Sequence, residues 1–162
     1  MSLILISAIS DNGVIGKDGG LPWRIPEDMK RFKKLTGRNS VVMGRKTYES
    51  IDEKFRPLPN RKNIVLSQSV DDLEGAYVAR TTEEALELSD SSDTYVIGGE
   101  QVYDSFLPLA DKLEITKVHG DYRGDVFFPI VNWNEWNLVG EEKDLISKNG
   151  DISYSFLSYV RK

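Results

Sequence analysis

Cysteine is absent from the 162-residue chain, and histidine occurs once, as His119. A disulfide framework and a thiolate metal site are therefore excluded, and so is a metal site built from several histidines. We predict no bound metal. No apolar run approaches the length of a membrane span. The apolar N-terminal segment lacks the positive flank of a signal peptide, so we interpret it as a buried strand.

Excess positive charge is also missing, because 21 basic side chains are set against 26 acidic ones and the net charge is −5. This balance argues against nucleic-acid binding as the main function, although it allows a local basic pocket for a small anion. The chain is 40% hydrophobic and 29% charged, which is ordinary for a globular protein. We expect one domain over residues 1–162 that is cytoplasmic, monomeric and not membrane-bound.

Short apolar runs alternate with helical patterns along most of the chain. Continuous runs of Val, Ile and Leu are typical of strands covered on both faces, and strand–helix alternation predicts a mainly parallel sheet. The strands expected in the first hundred residues are Leu3–Ile9, Ser40–Met43, Asn63–Ser67, Tyr77–Ala79 and Thr94–Ile97. Helices are expected over about Pro26–Thr36, from near Thr47, from Thr81–Thr82 with Glu84 at capping-box spacing, and from after Gly98–Gly99 to near Pro108.

The last third of the chain has a different pattern. Leu113–Val118 and Ile152–Val160 have the pattern of long strands, and the segment between them, with Trp133 and Trp136, is rich in loop-forming residues. No helical pattern clearly intervenes. We therefore expect an antiparallel hairpin that closes the edge of the sheet.

Asp28 lies on the apolar side of the first expected helix. At about 100° per residue, Phe32 is about 40° from Asp28 and Leu35 is about 20° away on the other side. A carboxylate aimed inward is costly unless it is paired, and a ligand with two adjacent N–H donors would pair with it. Burial would raise its pKa, which suits proton handling. A surface acid favoured by the helix dipole, or a salt bridge from a distant Arg, are the alternatives.

Three expected strands end in turns with features suited to phosphate: Met43–Thr47, Ile97–Glu100 and Leu66–Ser69. The first turn opens a helix and carries two cations, the second offers two glycines, and the third offers short hydroxyl and amide donors. Each alone could be an ordinary turn, but together they fit a nucleotide with several phosphates. Neither the G-x-G-x-x-G fingerprint nor the Walker pattern occurs.

A glycine-rich loop follows the first strand, bracketed by Asn12–Gly16 and Gly19–Trp23. It is either a mobile lid or an ordinary surface loop. Its apolar residues Ile15, Leu21 and Trp23 are unusual for a surface loop and favour the lid.

An ordered set of motifs resembles dihydrofolate reductase over essentially the whole chain. The matching segments are Asn12–Gly16, Leu21–Trp23, Ile25–Asp28 with Phe32, Met43–Thr47, Pro57–Pro59, Arg61–Asn63, Val96–Gly99, Val102–Tyr103, Ile115–Thr116, Gly124–Asp125 and Phe128–Pro129. Any one of them is weak, but the ordered set is specific. The resemblance implies a single-domain α/β fold with a central, mostly parallel eight-stranded sheet, a C-terminal antiparallel hairpin and four flanking helices.

The same resemblance implies an NADPH-dependent oxidoreductase that reduces 7,8-dihydrofolate to 5,6,7,8-tetrahydrofolate and supplies one-carbon metabolism. The reaction would be hydride transfer to pterin C6 with protonation of N5, and antifolate-type small molecules would bind at the same place. Asp28 would bind the amidine-like edge of the pterin, with Thr116 as its hydroxyl partner. Trp23 would help to order water, and Leu21 belongs to the same expected catalytic group.

The other residues that the resemblance assigns to the substrate are mostly apolar, with Arg61 as the cation for the glutamate α-carboxylate. The apolar members are Ile6, Ala8, Phe32, Ile51, Leu58 and Ile97. The residues assigned to NADPH are Ala8, Ile15, Gly16, Gly44, Arg45, Lys46, Thr47, Leu66, Ser67, Gln68, Ile97, Gly98, Gly99, Glu100, Gln101, Val102 and Tyr103. Within that set Arg45 and Ser67 would lie near the adenosine 2′-phosphate, Gly98–Gly99 resembles a cis Gly-Gly turn, and Asp125, outside the set, would contact the lid.

The chain departs from the family pattern at Asp52–Phe55, which is longer than the compact bacterial connection, and at Gln68 and Gln101, where some members carry a hydroxyl or a cation. His119 is given no role. Two other functions stay open: a related reductase acting on a pyrimidine or another pterin, and a non-catalytic folate- or nucleotide-binding module. The second would bind both ligands but show no NADPH oxidation.

Overall fold

A computed structural model describes residues 2–90 and 92–162 of the chain. Within these residues the strands are β1 (Ser2–Ser10), β2 (Val14–Gly16), β3 (Ser40–Gly44), β4 (Lys62–Leu66), β5 (Tyr77–Ala79), β6 (Asp93–Val96), β7 (Lys112–Val118), β8 (Val126–Phe127), β9 (Trp136–Ile146) and β10 (Ser153–Arg161). The helices are α1 (Pro26–Thr36), α2 (Arg45–Ser50), α3 (Thr82–Leu88) and α4 (Glu100–Phe106), with short 3₁₀ turns at Glu53–Phe55, Leu107–Leu109 and Trp133–Glu135.

Eight strands form one sheet in the order β5-β4-β3-β6-β1-β7-β10-β9. The pairs from β5 to β7 are parallel, whereas β10 pairs antiparallel with both β7 and β9. The expected fold class is therefore confirmed, including the hairpin at the edge. Because parallel strands end at the same edge of a sheet, the turns after β1, β3, β4 and β6 meet there.

The helices begin and end where local chemistry favours it. α1 has Pro26 at its first position and Glu27 and Asp28 in its first turn, and it ends at Gly37, whose N–H donates to Lys33 O. Before α3, the Thr81 hydroxyl accepts from the Glu84 N–H at 3.0 Å, as the capping-box spacing predicts. Across the described ranges, no helix is long and apolar enough to span a bilayer.

The core lies on both faces of the sheet, because the buried strands alternate their side chains between them. In β1, Leu3 and Leu5 belong to one apolar cluster, which α3 and α4 cover. Ile4 and Ile6 belong to a second cluster, which is covered by α1 and α2. Both faces are thus buried, as the continuous apolar runs indicate.

Three parts of the sequence-based assignment need correction. The loop assignment between the last two long strands is wrong for β9, which is an 11-residue strand. Most of its side chains are exposed, so the strand is defined by its antiparallel pairing with β10 and not by an apolar alternation. The short antiparallel pair β2–β8 was not expected. α2 begins at Arg45, two residues before the expected start.

Candidate active site

The Asp28 carboxylate faces the sheet. Its Oδ1 accepts a hydrogen bond of 2.5 Å from the Thr116 hydroxyl, and Thr116 is 2% exposed. Thr116 lies in β7 directly opposite Ala8 of β1, so Asp28 reaches the middle of the sheet near its carboxyl edge. Phe32 and Leu35, the helical neighbours of Asp28, pack into the core cluster under α1. The inward orientation that the helical wheel indicates is therefore observed.

Burial raises the pKa of Asp28 above its ordinary value of 3.8, and the hydrogen bond from Thr116 and the positive charge of Arg31 only partly oppose this. The Arg31 guanidinium itself bonds to Glu114 at 2.8 Å. Asp28 is thus not the partner of this internal guanidinium, as the salt-bridge alternative would require. Its carboxylate keeps acceptor capacity for a ligand.

The core cluster that contains Phe32 and Leu35 also provides an apolar wall beside Asp28. Five of the six apolar residues assigned to the substrate belong to this cluster, in which Ile6 is buried and the others are partly buried: Ile6, Phe32, Ile51, Leu58 and Ile97. The sixth, Ala8, packs in the adjacent cluster with Trp23. Residues that are far apart in the sequence are therefore brought together in two adjoining apolar clusters, an environment suited to a flat ring system.

Trp23 is 6% exposed and packs edge-on against Tyr122, with ring centroids 5.1 Å apart. Its Nε1 is buried and has no hydrogen-bond acceptor within residues 2–90 and 92–162. A buried unpaired donor is costly, which marks this position as one that suits an acceptor from a bound molecule. Leu21, by contrast, is 59% exposed and belongs to neither cluster.

Asn63 fixes the segment that carries Arg61. The Asn63 amide is 2% exposed; it accepts from Leu58 N–H at 2.9 Å and donates to the carbonyls of Leu58 and Arg61, each at 3.0 Å. Arg61 donates to Pro59 O and to the Thr36 hydroxyl, and burial lowers its pKa. Asn63 lies in one of the family motifs of the sequence, but no role was assigned to it there. The signal that could have indicated a structural role is a polar residue at the start of an apolar strand.

Replacing Asn63 with Ala should lower the free energy of unfolding by about 1–3 kcal/mol, because three partly buried backbone groups lose the partner that the buried Asn63 amide provides. Urea denaturation followed by circular dichroism measures this change. The matched control is Asn137→Ala, at an exposed position of β9, which should change stability by less than about 0.5 kcal/mol. Equal losses in the two variants would contradict the assigned role of Asn63.

The three turns suited to phosphate meet at the carboxyl edge. The Gly44 N–H donates to Gly98 O at 2.9 Å, and Arg45 donates to the Ser69 hydroxyl at 3.3 Å. The Ser67 hydroxyl accepts from the N–H groups of Ser69 and Val70. The N-cap residues of α2 and α4 are Gly44 and Gly99, which provide no side-chain cap and leave first-turn N–H groups available to an anion.

Gly98 is required at the second of these turns. Its φ is +120°, and a Cβ there would lie 3.3 Å from the Tyr103 ring. The Gly98–Gly99 peptide bond is cis, as the resemblance implies. Tyr103 is buried, donates its hydroxyl proton to Ile6 O at 2.7 Å, and has a pKa raised by burial. Gly99 lies close to the Thr47 hydroxyl.

The remaining residues assigned to the cofactor fall into two groups. Ile15, Gly16, Leu66 and Val102 are buried or partly buried behind the turns, whereas Lys46, Gln68, Glu100 and Gln101 are exposed at the edge. The Glu100 carboxylate accepts from Phe127 N–H at 2.7 Å, so it already holds β8. Gln68 donates to Arg80 O.

Arg80 is a cation that sequence reasoning missed. It donates to Ser67 O at 3.2 Å and pairs with Asp71, so it lies at the third turn. Its position directly after β5, at the same edge of the sheet as the other turns, is the sequence feature that could have identified it.

The glycine-rich loop is tied to the segment before β8. A Cβ at Gly124 would lie 2.3 Å from Val14 Cγ1, so only glycine permits this approach. Asp125 donates its N–H to Gly16 O at 3.0 Å and accepts from Asp18 N–H at 3.3 Å. The contact between Asp125 and the loop that the resemblance implies is therefore present.

His119 bonds to the Ser155 hydroxyl at 2.9 Å and lies 3.6 Å from Asp144, in the β7–β10 region. The longer connection at Asp52–Phe55 contains a 3₁₀ turn in which the Asp52 carboxylate accepts from Lys54 N–H at 3.0 Å. In the part of the chain that the structure describes, no three His, Cys, Asp or Glu side chains are grouped to hold a metal ion.

Fold and site together define a class of protein: an α/β enzyme with nucleotide-binding turns at the carboxyl edge of a parallel sheet and a half-buried carboxylate beside an apolar wall. The dihydrofolate reductase family model matches residues 2–161. The chain therefore belongs to the dihydrofolate reductase family, and the oxidoreductase activity expected from the sequence is confirmed.

Individual relatives agree with this assignment. The chain is 42% identical over 159 residues to dihydrofolate reductase of Bacillus subtilis, covering 97% of this chain and 93% of that protein. It is 45% identical over 164 residues to the Mycobacterium leprae enzyme, covering 97% and 96%. The structure of Enterococcus faecalis dihydrofolate reductase, complexed with NADP(H) and RAB-propyl, superimposes with a TM-score of 0.90 at 36% identity, covering 99% of this chain and 96% of that one.

Proposed function

We propose that this chain reduces 7,8-dihydrofolate to 5,6,7,8-tetrahydrofolate with NADPH, and that Asp28 binds the pterin and supports its protonation. The observation that carries the assignment of Asp28 is its half-buried carboxylate, bonded to Thr116 and placed beside an apolar wall. A carboxylate accepts two parallel N–H donors well, which is what the amidine-like edge of a pterin offers.

The proposed cofactor is NADPH. The residues present fit it: uncapped helix starts at Gly44 and Gly99, a glycine at Gly98 that leaves room for close approach, and a cation at Arg45. The Enterococcus faecalis relative was solved with NADP(H), which supports the same choice. When bound, the cofactor supplies a hydride from nicotinamide C4 to pterin C6.

The protein positions the two rings and controls the proton. Ile6, Phe32 and Ile97 provide apolar contact that keeps the substrate ring in a water-poor crevice. Asp28, whose pKa burial raises, holds a proton more readily than an exposed carboxylate and can support delivery to N5. Arg61, which donates to Pro59 O and to the Thr36 hydroxyl, is proposed to bind the α-carboxylate of the glutamate tail. Antifolate-type molecules would occupy the same crevice.

The chain is further proposed to be a single cytoplasmic domain that acts as a monomer. Both edges of the sheet are protected against pairing with another chain, since β5 has three residues and β9 carries the charged run Glu141–Asp144. The apolar N-terminal segment is β1, which lies between β6 and β7 in the core and belongs to the folded domain.

The proposed function is tested by mixing purified protein with NADPH and dihydrofolate and following the absorbance of the reduced cofactor. We expect oxidation that requires both ligands and is inhibited by an antifolate. Binding of both ligands without oxidation would instead indicate a binding module. Oxidation with another pterin or a pyrimidine, but not with dihydrofolate, would indicate a related reductase.

Thr116→Val should lower turnover about tenfold, because Asp28 loses the hydroxyl that holds it in place. That hydrogen bond lowers the pKa of Asp28, so its loss should raise the pKa further and move the alkaline limb of the pH–rate profile to higher pH. Steady-state rates across pH measure both effects. Thr82→Val, in α3 and remote from the site, is the matched control. Unchanged rate and profile in Thr116→Val would remove Thr116 from the site.

A further inference from the structure

Arg31 and Glu114 form a second polar link between α1 and β7, next to the Asp28–Thr116 link. Asp28 and Arg31 are three residues apart and therefore neighbours on the helix surface. Glu114 and Thr116 are two residues apart in β7 and therefore point to the same face of the sheet. Two residues of the helix thus bond to two residues of one strand, in antiparallel order: Asp28 to Thr116 and Arg31 to Glu114.

The Arg31 side chain is held by two residues, Glu114 and Phe156. Its guanidinium bonds to Glu114 Oε2 at 2.8 Å, and its central carbon lies 4.5 Å from the centre of the Phe156 ring. The same Glu114 oxygen accepts from the Ser158 hydroxyl at 2.6 Å. Arg31 and Glu114 side chains are only 20% and 16% exposed, so solvent screens this pair less than a surface ion pair.

We propose that Arg31, held by Glu114 and Phe156, is a positioning residue that keeps the Asp28 carboxylate against Thr116 and sets how readily it takes up a proton. The expected effect of Arg31 on turnover rests on the proposed function, whereas its expected effect on Asp28 does not. The helix cannot rotate or slide on β7 without breaking one of the two links, so the location of Asp28 depends on both. A fixed positive charge one helical turn away also favours the ionised carboxylate.

Within the described residues, Arg31 is the cation that acts on the pKa of Asp28. From α4, Tyr103 faces Asp28, and burial raises the pKa of Tyr103. From β10, Tyr154 faces both Asp28 and Glu27, and its pKa is also raised, mainly by burial. Both tyrosines are therefore neutral near neutral pH. From β7, Thr116 contributes a hydrogen bond and no charge.

The direct test is the titration of the Asp28 carboxyl carbon by carbon-13 NMR in the ligand-free chain, which needs no catalytic activity. Arg31→Gln should move the midpoint to higher pH by roughly half a unit, since Glu114 already offsets part of the charge. Arg31→Lys keeps the positive charge, so its midpoint should lie close to that of the parent chain. Glu114→Gln should move it to lower pH, because the charge of Arg31 is then unopposed. Lys30→Gln, an exposed charge on the far side of α1, is the control and should leave it unchanged.

The pH–rate profile then joins this inference to function. In Arg31→Gln the alkaline limb of the pH–rate profile should move to higher pH, as the Asp28 titration midpoint does. At a fixed pH on that limb, the rate as a fraction of the variant's own plateau rate should therefore rise roughly threefold. If the Asp28 titration midpoint stays fixed in both Arg31→Gln and Glu114→Gln, the inference is overturned. If Arg31→Gln does not fold, the midpoint in Glu114→Gln decides the test by itself. Midpoints that move while the rate profile does not would support the role of Arg31 and contradict the proposed role of Asp28.

Discussion

Asp28→Asn should lower turnover at neutral pH by about 10²–10⁴-fold while NADPH still binds with near-normal affinity. The amide can neither carry the negative charge that pairs with the pterin edge nor hold an acidic proton, and general acid–base groups contribute on this order. The phosphate turns do not contact Asp28, so cofactor binding should survive. Single-turnover rates and a fluorescence titration with NADPH measure the two quantities.

The same variant should be at least as stable as the parent at neutral pH. Because burial raises the folded-state pKa of Asp28 above 3.8, the folded chain binds more protons than the unfolded one between the two pKa values. Stability therefore falls as pH rises through that window, and above the folded-state pKa the ionised carboxylate is a net cost. An isosteric amide removes this cost. Melting temperatures at pH 7 measure the effect.

The control for both effects is Asp72→Asn, an exposed acid in the loop before β5. It should change neither turnover nor melting temperature appreciably. Near-normal turnover in Asp28→Asn would remove this carboxylate from the chemistry. A marked loss of stability in Asp28→Asn would show that the carboxylate is structural.

Arg45→Ala should weaken NADPH binding about 10–100-fold and NADH binding much less. Arg45 begins α2 at the turn that meets Gly98, and it donates to Ser69 beside Ser67. A guanidinium bonded to a phosphate contributes about 1.5–3 kcal/mol, which corresponds to this loss, and NADH lacks the 2′-phosphate. The partner of Arg45 in the free chain, Glu49, is half exposed, so folding should be little affected.

Dissociation constants for both cofactors in the parent and the variant measure this difference. Lys143→Ala, which removes an exposed cation in β9, is the charge-matched control and should leave both constants unchanged. Equal losses for NADPH and NADH in Arg45→Ala would contradict the assignment of Arg45 to the 2′-phosphate.

Local rules account for what the sequence predicted well. The central strands are continuous apolar runs because α-helices cover both faces, and such runs are visible without any tertiary information. The inward Asp28 followed from helical geometry, since Phe32 and Leu35 mark the buried side of α1. The glycine turns followed from the positions of Gly44 and Gly98 directly after strands.

What the sequence could not predict depends on pairings between elements that no local pattern shows. β9 is an edge strand with an exposed, charged surface, and only its pairing with β10 defines it. The Arg31–Glu114 link joins residues 83 positions apart. Arg80 comes next to Ser67 only because β4 and β5 are adjacent in the sheet. Charged residues of this kind look like ordinary surface positions until the fold brings them together.

A crystal structure of the chain with folate and NADP⁺ bound tests the central claim most directly. We predict that both Asp28 carboxylate oxygens accept N–H donors from the pterin edge at about 2.7–2.9 Å. We also predict that the nicotinamide ring lies against the pterin face, beside Ala8. A pterin bound without contact to Asp28, or a carboxylate turned away from the crevice, would contradict the account.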